Sequence, residues 1–334
     1  MSARPAPEGS GEDRLIARYF RPLARHPGAL GLADDAALLT PPAGCDLVLT
    51  TDGIIAGVHV FPDAPADAVA RRALRVNLSD LAAKGAKPAG FLLAVALPAD
   101  TSEEWMAAFA RGLDADAEQY GCPLLGGDTD RTPGPLSVSI TAFGTLASGT
   151  MVRRSGARAG DALFVTGSIG DAALGLLLRK EPKQGGALTS AYRDHLLTRY
   201  LLPEPRNALA ETLRTHASAA LDVSDGLAGD LSKLCRASGV STQIDAGRVP
   251  LSDAAKAFIA AEPPLLERAL TGGDDYEILA AVPAGKAEGF RAGAQAAGIA
   301  VTEIGRLAAG DAAPHFIGPD GRPLAFERPA YSHF

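Results

Sequence analysis

Hydrophobic and polar positions along the first half of the chain predict alternating strands and helices. Val138 and Ile140 fall on one side of an alternating stretch and Ser137 and Ser139 on the other, which is strand periodicity. Apolar residues at helical spacing after a capping Ser10 predict that an amphipathic helix opens the fold. The further pattern predicts strands at 46–51, 90–97 and 135–144 and helices at 67–84 and 102–120.

The second half repeats this alternation after a stretch of small and basic residues between positions 145 and 160. The pattern predicts strands at 161–166, 219–223, 276–282 and 300–304, with helices between them. The chain is therefore expected to be α/β in both halves. The change in composition predicts a domain boundary that separates residues 1–148 from residues 149–334.

Composition adds limits on function. The chain has 334 residues, enough for two domains, and a formal net charge of −7. That charge argues against nucleic acid or an anionic membrane as a partner, because both attract clustered Lys and Arg. Three scattered cysteines predict reduced thiols, and the N-terminal stretch lacks a secretory signal pattern. We therefore expect a cytoplasmic protein.

Aspartates beside Gly, Ser or Thr recur at the predicted ends of strands. A single such residue is common in a turn or a helix cap. Several together favour a ligand site, because α/β folds bind ligands at the carboxyl ends of their strands. The six clusters are ADDAALL (33–39), TTDG (50–53), NLSDLAAKGA (77–86), GGDTD (126–130), LDVSDG (221–226) and TGGDDYE (271–277).

The chemistry of these clusters favours magnesium and phosphate. Mg²⁺ prefers carboxylate oxygens and is commonly shared with substrate phosphates, whereas zinc would need His and Cys at ligand spacing. The chain has no G-x-x-x-x-G-K-[ST] loop and no G-x-G-x-x-G match. The sequence therefore predicts that carboxylates bind phosphate groups indirectly, through metal ions.

The same motifs resemble the thiamine-monophosphate kinase family, in the same order and over nearly the whole chain. The resemblance implies a two-domain fold of the aminoimidazole-ribonucleotide-synthetase-like superfamily, with mixed sheets flanked by helices. It implies transfer of phosphate from ATP to thiamine monophosphate, with several magnesium ions, in a homodimer. The matching segments are GLADDAALL, TTDGIIAGVHVFPD, RRALRVNLSDLAAKGAKP, LLGGDTDR, RRSGARAGD, LDVSDGLAGDL, TGGDDYEIL and AYSHF.

The resemblance also implies roles for individual residues. The implied magnesium ligands are Asp35, Thr50, Thr51, Asp52, Asp80, Asp128, Asp222 and Asp225. The implied ATP contacts are Gly127, Asp128, Arg154 and Ser224. The implied substrate contacts are His59, Asp274 and Tyr331. Two positions depart from the family pattern, which usually has Gly at Ala33 and Glu at Asp274.

Direct in-line transfer is expected, without a covalent nucleophile or a general base, because a phosphate oxygen is already ionised at neutral pH. Two alternatives remain at this point. One is another ATP-using member of the superfamily, such as selenophosphate synthetase, aminoimidazole-ribonucleotide synthetase or the hydrogenase-maturation dehydratase. The other is a catalytically silent module that binds thiamine phosphate or nucleotide.

Overall fold

The computed structural model describes residues 10–328, 330 and 331. The chain divides into two compact units. The first runs up to Asn77 and resumes over Pro88–Thr145; the second comprises Leu78–Lys87 and the described residues from Leu146 onward. A short segment between the two parts of the first unit therefore belongs to the second.

The first unit combines four strands with one long helix and the larger part of a second, which continues into the second unit from Leu78. Its sheet has the order β1-β4-β2-β3, and β2 runs parallel to β3. A short helix and irregular turns precede the sheet. The elements are α1 (Gly11–Leu15), β1 (Cys45–Ile55), α2 (Ala66–Ala83), β2 (Lys87–Pro98), α3 (Glu103–Gln119), β3 (Leu124–Thr132) and β4 (Ser137–Ala147).

One face of this sheet is buried and the other is open. Phe91, Leu93, Val138 and Ile140 point into the core, whereas their neighbours along each strand are more exposed. Alternation of this kind is the pattern of a sheet that packs on one side. The open face is therefore available to form a binding surface.

The second unit contains six strands and seven helices among the described residues. Its sheet has the order β10-β7-β9-β5-β8-β6. The strands are β5 (Ala162–Thr166), β6 (Ala219–Val223), β7 (Val240–Asp245), β8 (Glu277–Val282), β9 (Val301–Ala309) and β10 (His315–Ile317). The helices are α4 (Asp171–Lys180), α5 (Ser190–Leu201), α6 (Ala210–His216), α7 (Leu227–Ser238), α8 (Asp253–Ala261), α9 (Leu265–Thr271) and α10 (Ala287–Ala296).

Both faces of the second sheet are covered by hydrophobic cores. On β5, Leu163 belongs to one core with Leu231 of α7, and Phe164 belongs to the other with Phe290 of α10. Each of these side chains is almost completely buried. This explains why the predicted strand at 161–166 is a continuous apolar run instead of an alternating one.

The predicted elements are largely confirmed, including the strand at 219–223 with the same bounds. The opening helix differs from its prediction. Ser10 caps α1 as expected, but α1 ends at Leu15 and continues as a π-helical turn and a 3₁₀ turn that contains Pro22. Proline cannot donate a backbone hydrogen bond, so a regular helix cannot continue through this position.

The three cysteines are free thiols, as expected. Burial raises the pKa of Cys122 to about 12 and that of Cys235 to about 11. Cys45 is partly exposed at the start of β1. Across residues 10–328, 330 and 331, every helix is too short or too polar to cross a lipid bilayer.

Candidate active site

A cavity of about 820 Å³ lies on the open face of the sheet in the first unit. Its polar lining includes Asp35, Gly127, Asp128 and Thr141, and its apolar lining includes Leu49. Pockets of roughly 300–1,000 Å³ with apolar walls and a few polar groups are typical of small-molecule sites. The cavity thus brings together three of the residues predicted from the motifs.

Glycine at position 127 is required by close backbone packing. Gly127 pairs with Leu93 on the neighbouring strand, and a Cβ atom at 127 would lie 1.8 Å from the Leu93 carbonyl oxygen. No side chain can be accommodated at that distance. The next residue, Asp128, extends from the strand into the cavity lining and is exposed.

The end of β1 is held by hydrogen bonds within the same unit. The Thr51 hydroxyl donates to the Ile140 carbonyl oxygen at 3.1 Å, and the Thr141 hydroxyl donates to Thr51 at 3.2 Å. The Asp52 N–H donates to the Asn77 side-chain oxygen at 3.0 Å. Thr50, Thr51 and Asp52 follow one another on β1, so alternate side chains point to opposite faces.

His59 lies just after β1 and contacts the end of that strand. Its Nδ1 accepts a hydrogen bond from the Ile55 N–H at 3.1 Å. Since Nδ1 is an acceptor, the neutral imidazole carries its proton on Nε2. His59 can therefore act as a donor through Nε2.

In the second unit, Asp222 and Asp80 form a pair of neighbouring carboxylates. Burial, together with the nearby charge of Asp80, raises the pKa of Asp222 to about 8. The Ser79 hydroxyl donates to Asp222 Oδ2 at 2.7 Å, and the Lys84 ammonium donates to the Ala220 carbonyl oxygen at 2.8 Å. Two acids held this close favour a cation beside them.

The loop after β6 is tied to three other segments through its backbone. The Asp274 N–H donates to the Ser224 carbonyl oxygen at 2.8 Å, and the Tyr331 N–H donates to the Asp225 carbonyl oxygen at 3.0 Å. The Asp225 N–H donates to Asp230 Oδ2 at 2.9 Å. The structure therefore places Ser224, Asp225, Asp274 and Tyr331 around one loop.

Lys233 supplies a cation to this loop. Its ammonium contacts the carboxylates of Asp225 and Asp230. Burial opposes the charge on Lys233, but these two hydrogen-bonded carboxylates raise its pKa. Burial also raises the pKa of Asp230. Lys233 thus supplies one positive charge beside these two loop acids.

The backbone at Asp274 is left-handed, with a φ of +66°. Asp tolerates this region better than Glu does, because its short side chain can hydrogen-bond locally. Gly273 is also left-handed, and a Cβ atom there would lie 2.4 Å from the Ser224 carbonyl oxygen. The departure from Glu at 274 therefore fits its backbone. Ala33 has a φ of −115°, which needs no glycine.

Arg154 lies on the exposed segment that precedes β5. The adjacent Arg153 carbonyl oxygen accepts a hydrogen bond from the Ala220 N–H at 2.9 Å, which places this segment beside β6. The charge of Arg154 contributes to lowering the pKa of Lys84, although burial is the larger cause. An exposed guanidinium beside this strand can bind an anion.

A buried ionic network lies behind Asp274. Glu277 accepts hydrogen bonds from Arg199 at 2.9 Å, from Arg206 Nε at 2.7 Å and from Thr166 at 2.6 Å. Asp275 accepts a hydrogen bond from the Gly170 N–H at 2.8 Å, and burial raises its pKa well above the usual range. These contacts hold in place the residues that follow Asp274.

The motifs contain the candidate residues but do not identify the side chains that support them. Five side chains contact the predicted residues or their strands, although the motifs assign them no role. They are Asn77, Ser79, Lys84, Asp230 and Lys233. Four of them lie within, or immediately after, the motif segments. Their position in or next to a motif was the one sequence feature that could have indicated a supporting role. Ser332, His333 and Phe334 of the terminal motif lie outside the described residues.

The donors fit magnesium better than a soft metal, since they are carboxylates and hydroxyls. Within the described part of the chain, no group of three or more His, Cys, Asp or Glu side chains is close enough to bind one ion. Mg²⁺ usually takes one or two carboxylates and fills its remaining positions with water and phosphate oxygens. The Asp80–Asp222 pair meets that requirement.

Two family models match consecutive parts of the chain. Residues 33–146 match the family model for the AIR synthase related protein N-terminal domain, and residues 158–315 match the C-terminal domain. The first match contains the cavity acids of the first unit. The second contains β6, the loop after it and Asp274.

Individual relatives match nearly the whole chain. The thiamine-monophosphate kinase of Caulobacter vibrioides is 45% identical over 327 residues, which cover 96% of this chain and 91% of the relative. The crystal structure of thiamine-monophosphate kinase from Stenotrophomonas maltophilia K279a is 40% identical with a TM-score of 0.81, covering 93% and 96% of the two chains. AaThiL complexed with AMPPCP and TMP is 31% identical with a TM-score of 0.76, covering 90% and 91%. The chain belongs to the thiamine-monophosphate kinase family.

Proposed function

We propose that this protein transfers the γ-phosphate of ATP to thiamine monophosphate and releases thiamine diphosphate and ADP. The observation that carries the proposal is the 45% identity to a thiamine-monophosphate kinase over 96% of the chain. The related AaThiL, complexed with AMPPCP and TMP, supports an ATP analogue and thiamine monophosphate as the two ligands. Because the reaction consumes ATP, we expect it to take place in the cytoplasm.

The cavity in the first unit is proposed to receive part of the nucleotide. With no side chain at Gly127, the backbone there would be able to approach phosphate oxygens. Asp128 lies beside it in the lining. Arg154 and Ser224 are proposed as further ATP contacts in the second unit. Arg154 would bind phosphate through its fixed set of donors.

Three residues are proposed to bind thiamine monophosphate. His59 offers an Nε2 donor, because its Nδ1 already accepts from Ile55. Asp274 offers a carboxylate, which suits the cationic thiazolium ring of thiamine. Tyr331 is 49% exposed, and its ring is proposed to stack on the aromatic heterocycle of the substrate.

Magnesium is proposed to be held by carboxylates and hydroxyls of the motif segments. When bound, it neutralises phosphate charge and so reduces the repulsion between the two polyanionic reactants. The proposed ligands are Asp35, Thr50, Thr51, Asp52, Asp80, Asp128, Asp222 and Asp225. Burial and the nearby charge of Asp80 raise the pKa of Asp222, and a neighbouring cation would offset both effects.

The transfer is proposed to occur in one step. A phosphate oxygen of thiamine monophosphate forms the new P–O bond to the γ-phosphorus, and the bond to the β-phosphate oxygen breaks with ADP as the leaving group. A phosphate monoester is largely ionised at neutral pH, so no general base is needed. The protein contributes position and charge.

Incubation of the purified protein with ATP, Mg²⁺ and thiamine monophosphate tests this proposal. Thiamine diphosphate and ADP should form in equal amounts, and omission of Mg²⁺ should abolish both. Free thiamine and inorganic phosphate serve as control acceptors. Turnover of a different acceptor, with none for thiamine monophosphate, would reject the specific substrate. A phosphorylated enzyme that forms and decays at the rate of turnover would reject direct transfer.

A homodimer is proposed as the working form of the protein. Leu47 and Leu49 on the open face of β1 are 37% and 60% exposed, and Leu38 is 65% exposed. Leu47 and Leu49 share one face of β1, and exposed large apolar side chains on one face are typical of an interface. Sedimentation over a concentration series should give a dimer, and Leu49→Lys should shift it toward monomer. A concentration-independent monomer would contradict this proposal.

A further inference from the structure

Ser79 is an unexpected residue at its position in the fold. It lies inside α2 and is 1% exposed, although serine favours caps and turns over buried helix interiors. A helical serine usually donates its hydroxyl to a carbonyl oxygen of the preceding turn. Ser79 donates instead to Asp222 Oδ2, 143 residues further along the chain.

The contact fixes the direction of a carboxylate. A hydroxyl carries a single proton, and here that proton is directed at one oxygen of Asp222 at 2.7 Å. A carboxylate with one oxygen held in this way presents its second oxygen in a defined direction. Hydrogen bonds of this kind orient ligands at metal sites.

The strand that carries Asp222 is also held to the end of α2 at a second point. The Lys84 ammonium donates to the Ala220 carbonyl oxygen at 2.8 Å, two residues before Asp222. The backbone of β6 is therefore fixed independently of Ser79. Loss of the Ser79 hydroxyl should release the Asp222 side chain and leave the strand in place.

We infer that Ser79 is a positioning residue that orients the Asp222 carboxylate for a divalent cation. The inference rests on the proposed function, because it takes Asp222 to be a metal ligand. Ser79 touches neither reactant in this scheme. It acts through Asp222 alone, and so its effect should vanish when Asp222 can no longer bind metal.

Titration of Mn²⁺ into the full-length protein, followed by the electron paramagnetic resonance of the free ion, tests the inference. Asp222→Asn should remove or weaken one binding event, which identifies it among several. Ser79→Ala should raise the dissociation constant of that same event about 10- to 100-fold. Ser79→Thr, which retains a hydroxyl, should restore binding to within about threefold.

The double variant separates positioning from a general effect on folding. In the Asp222→Asn background, Ser79→Ala should produce no further change in Mn²⁺ binding. Ser232→Ala is the matched control, because the Ser232 hydroxyl donates to the Ala228 carbonyl oxygen of its own helix. It should bind Mn²⁺ as the wild-type protein does. Should Ser79→Ala fail to fold, Ser79→Cys keeps the volume with a weaker donor and should show a smaller loss.

Each contrary result has a distinct meaning. Unchanged Mn²⁺ affinity in Ser79→Ala or its Cys counterpart would overturn the inference, as would an additional loss in the double variant. If wild-type protein and Asp222→Asn bind Mn²⁺ alike, the metal role of Asp222 is wrong and the inference falls with it. Failure of the wild-type protein to form thiamine diphosphate would overturn the proposed function without touching the Mn²⁺ result.

Discussion

Carboxylates in the two units differ in what surrounds them. Asp35 and Asp128 in the first unit are exposed on an open cavity, where water can solvate them. Asp222, Asp230 and Asp275 in the second unit lie among protein groups, and burial raises the pKa of each. Exposed carboxylates can be changed at small cost to stability, whereas buried ones are coupled to the fold.

The buried acids of the second unit have cationic or hydrogen-bonding partners built into the chain. Lys233 contacts Asp230, Arg199 and Arg206 contact Glu277, and Ser79 contacts Asp222. The difference between the units therefore separates binding from stability. Substitutions of the exposed cavity acids in the first unit should affect activity alone, and those of the buried acids in the second should affect stability as well.

Glu277→Gln should give the largest loss of stability. The substitution leaves Arg199 and Arg206 facing an uncharged side chain in a buried position, which should cost about 3–5 kcal/mol of unfolding free energy. Urea denaturation measures this loss. Glu204→Gln is the control, since Glu204 contacts the same two arginines at 3.2 Å but is 56% exposed. It should cost at most about 1 kcal/mol. Equal losses would remove the contrast between buried and exposed acids.

Asp128→Asn should lower kcat/KM about 100-fold, or about 2.7 kcal/mol, because it removes an acid from the cavity lining. Its unfolding free energy should stay within about 0.5 kcal/mol of wild type. Steady-state kinetics and urea denaturation on the same preparation measure both. Asp130→Asn changes an exposed acid two residues away on the same strand and should leave both values unchanged. A large stability loss at 128 would contradict the assignment of this region to binding alone.

Asp222→Asn should change the pH dependence of stability in chelator-treated protein. The pKa of Asp222 is about 8 when folded, against an ordinary value of 3.8. Between these values the folded state keeps a proton that the unfolded state has released, so wild-type stability falls as pH rises. The loss is complete above about pH 8. The advantage of Asp222→Asn over wild type should therefore grow from pH 4 to 8 and then level off.

Urea midpoints from pH 4 to 9 measure this difference. The charged and hydrogen-bonding groups that face Asp222 are Asp80, Ser79, Asp230 and Lys84. Asp253→Asn, at a carboxylate that is 81% exposed, should give a flat difference over the same range. If the stability difference between Asp222→Asn and wild type were also independent of pH, burial would not raise the pKa of Asp222.

Asp274→Glu should have the smallest effect. Glu restores the longer side chain that the family usually has, but the left-handed backbone should cost about 1 kcal/mol of unfolding free energy. The KM for thiamine monophosphate should change by less than about threefold, because the carboxylate is kept. Asp274→Gly should show the reverse pattern: the unfolding free energy should be retained, and the KM for thiamine monophosphate should rise. Parallel changes in both variants would argue against a separate binding role.

The sequence predicted the elements well where periodicity is strong. The strand at 219–223 was predicted with its observed bounds, and the helix predicted at 67–84 corresponds to α2 (Ala66–Ala83). Proline at 22 was present in the sequence, yet the apolar spacing around it still suggested one regular helix. The spacing of hydrophobic residues alone therefore did not predict that the regular helix ends before Pro22.

The supporting contacts of the site could not be predicted. The Ser79–Asp222 hydrogen bond joins residues 143 positions apart, and Glu277 contacts Arg206 from 71 positions away. Such pairs depend on which strands become neighbours, and local periodicity carries no information on that. The left-handed backbone at Asp274 could not be predicted either, because the residue types of a motif do not specify φ.

The burial of two thiols has a practical consequence. Cys122 and Cys235 have raised pKa values, so they remain protonated and unreactive at neutral pH. Cys45 is partly exposed and begins the strand whose Leu47 and Leu49 line the cavity. A thiol-reactive fluorophore should therefore label Cys45 selectively. The attached fluorophore would then report from the strand that lines the candidate nucleotide site.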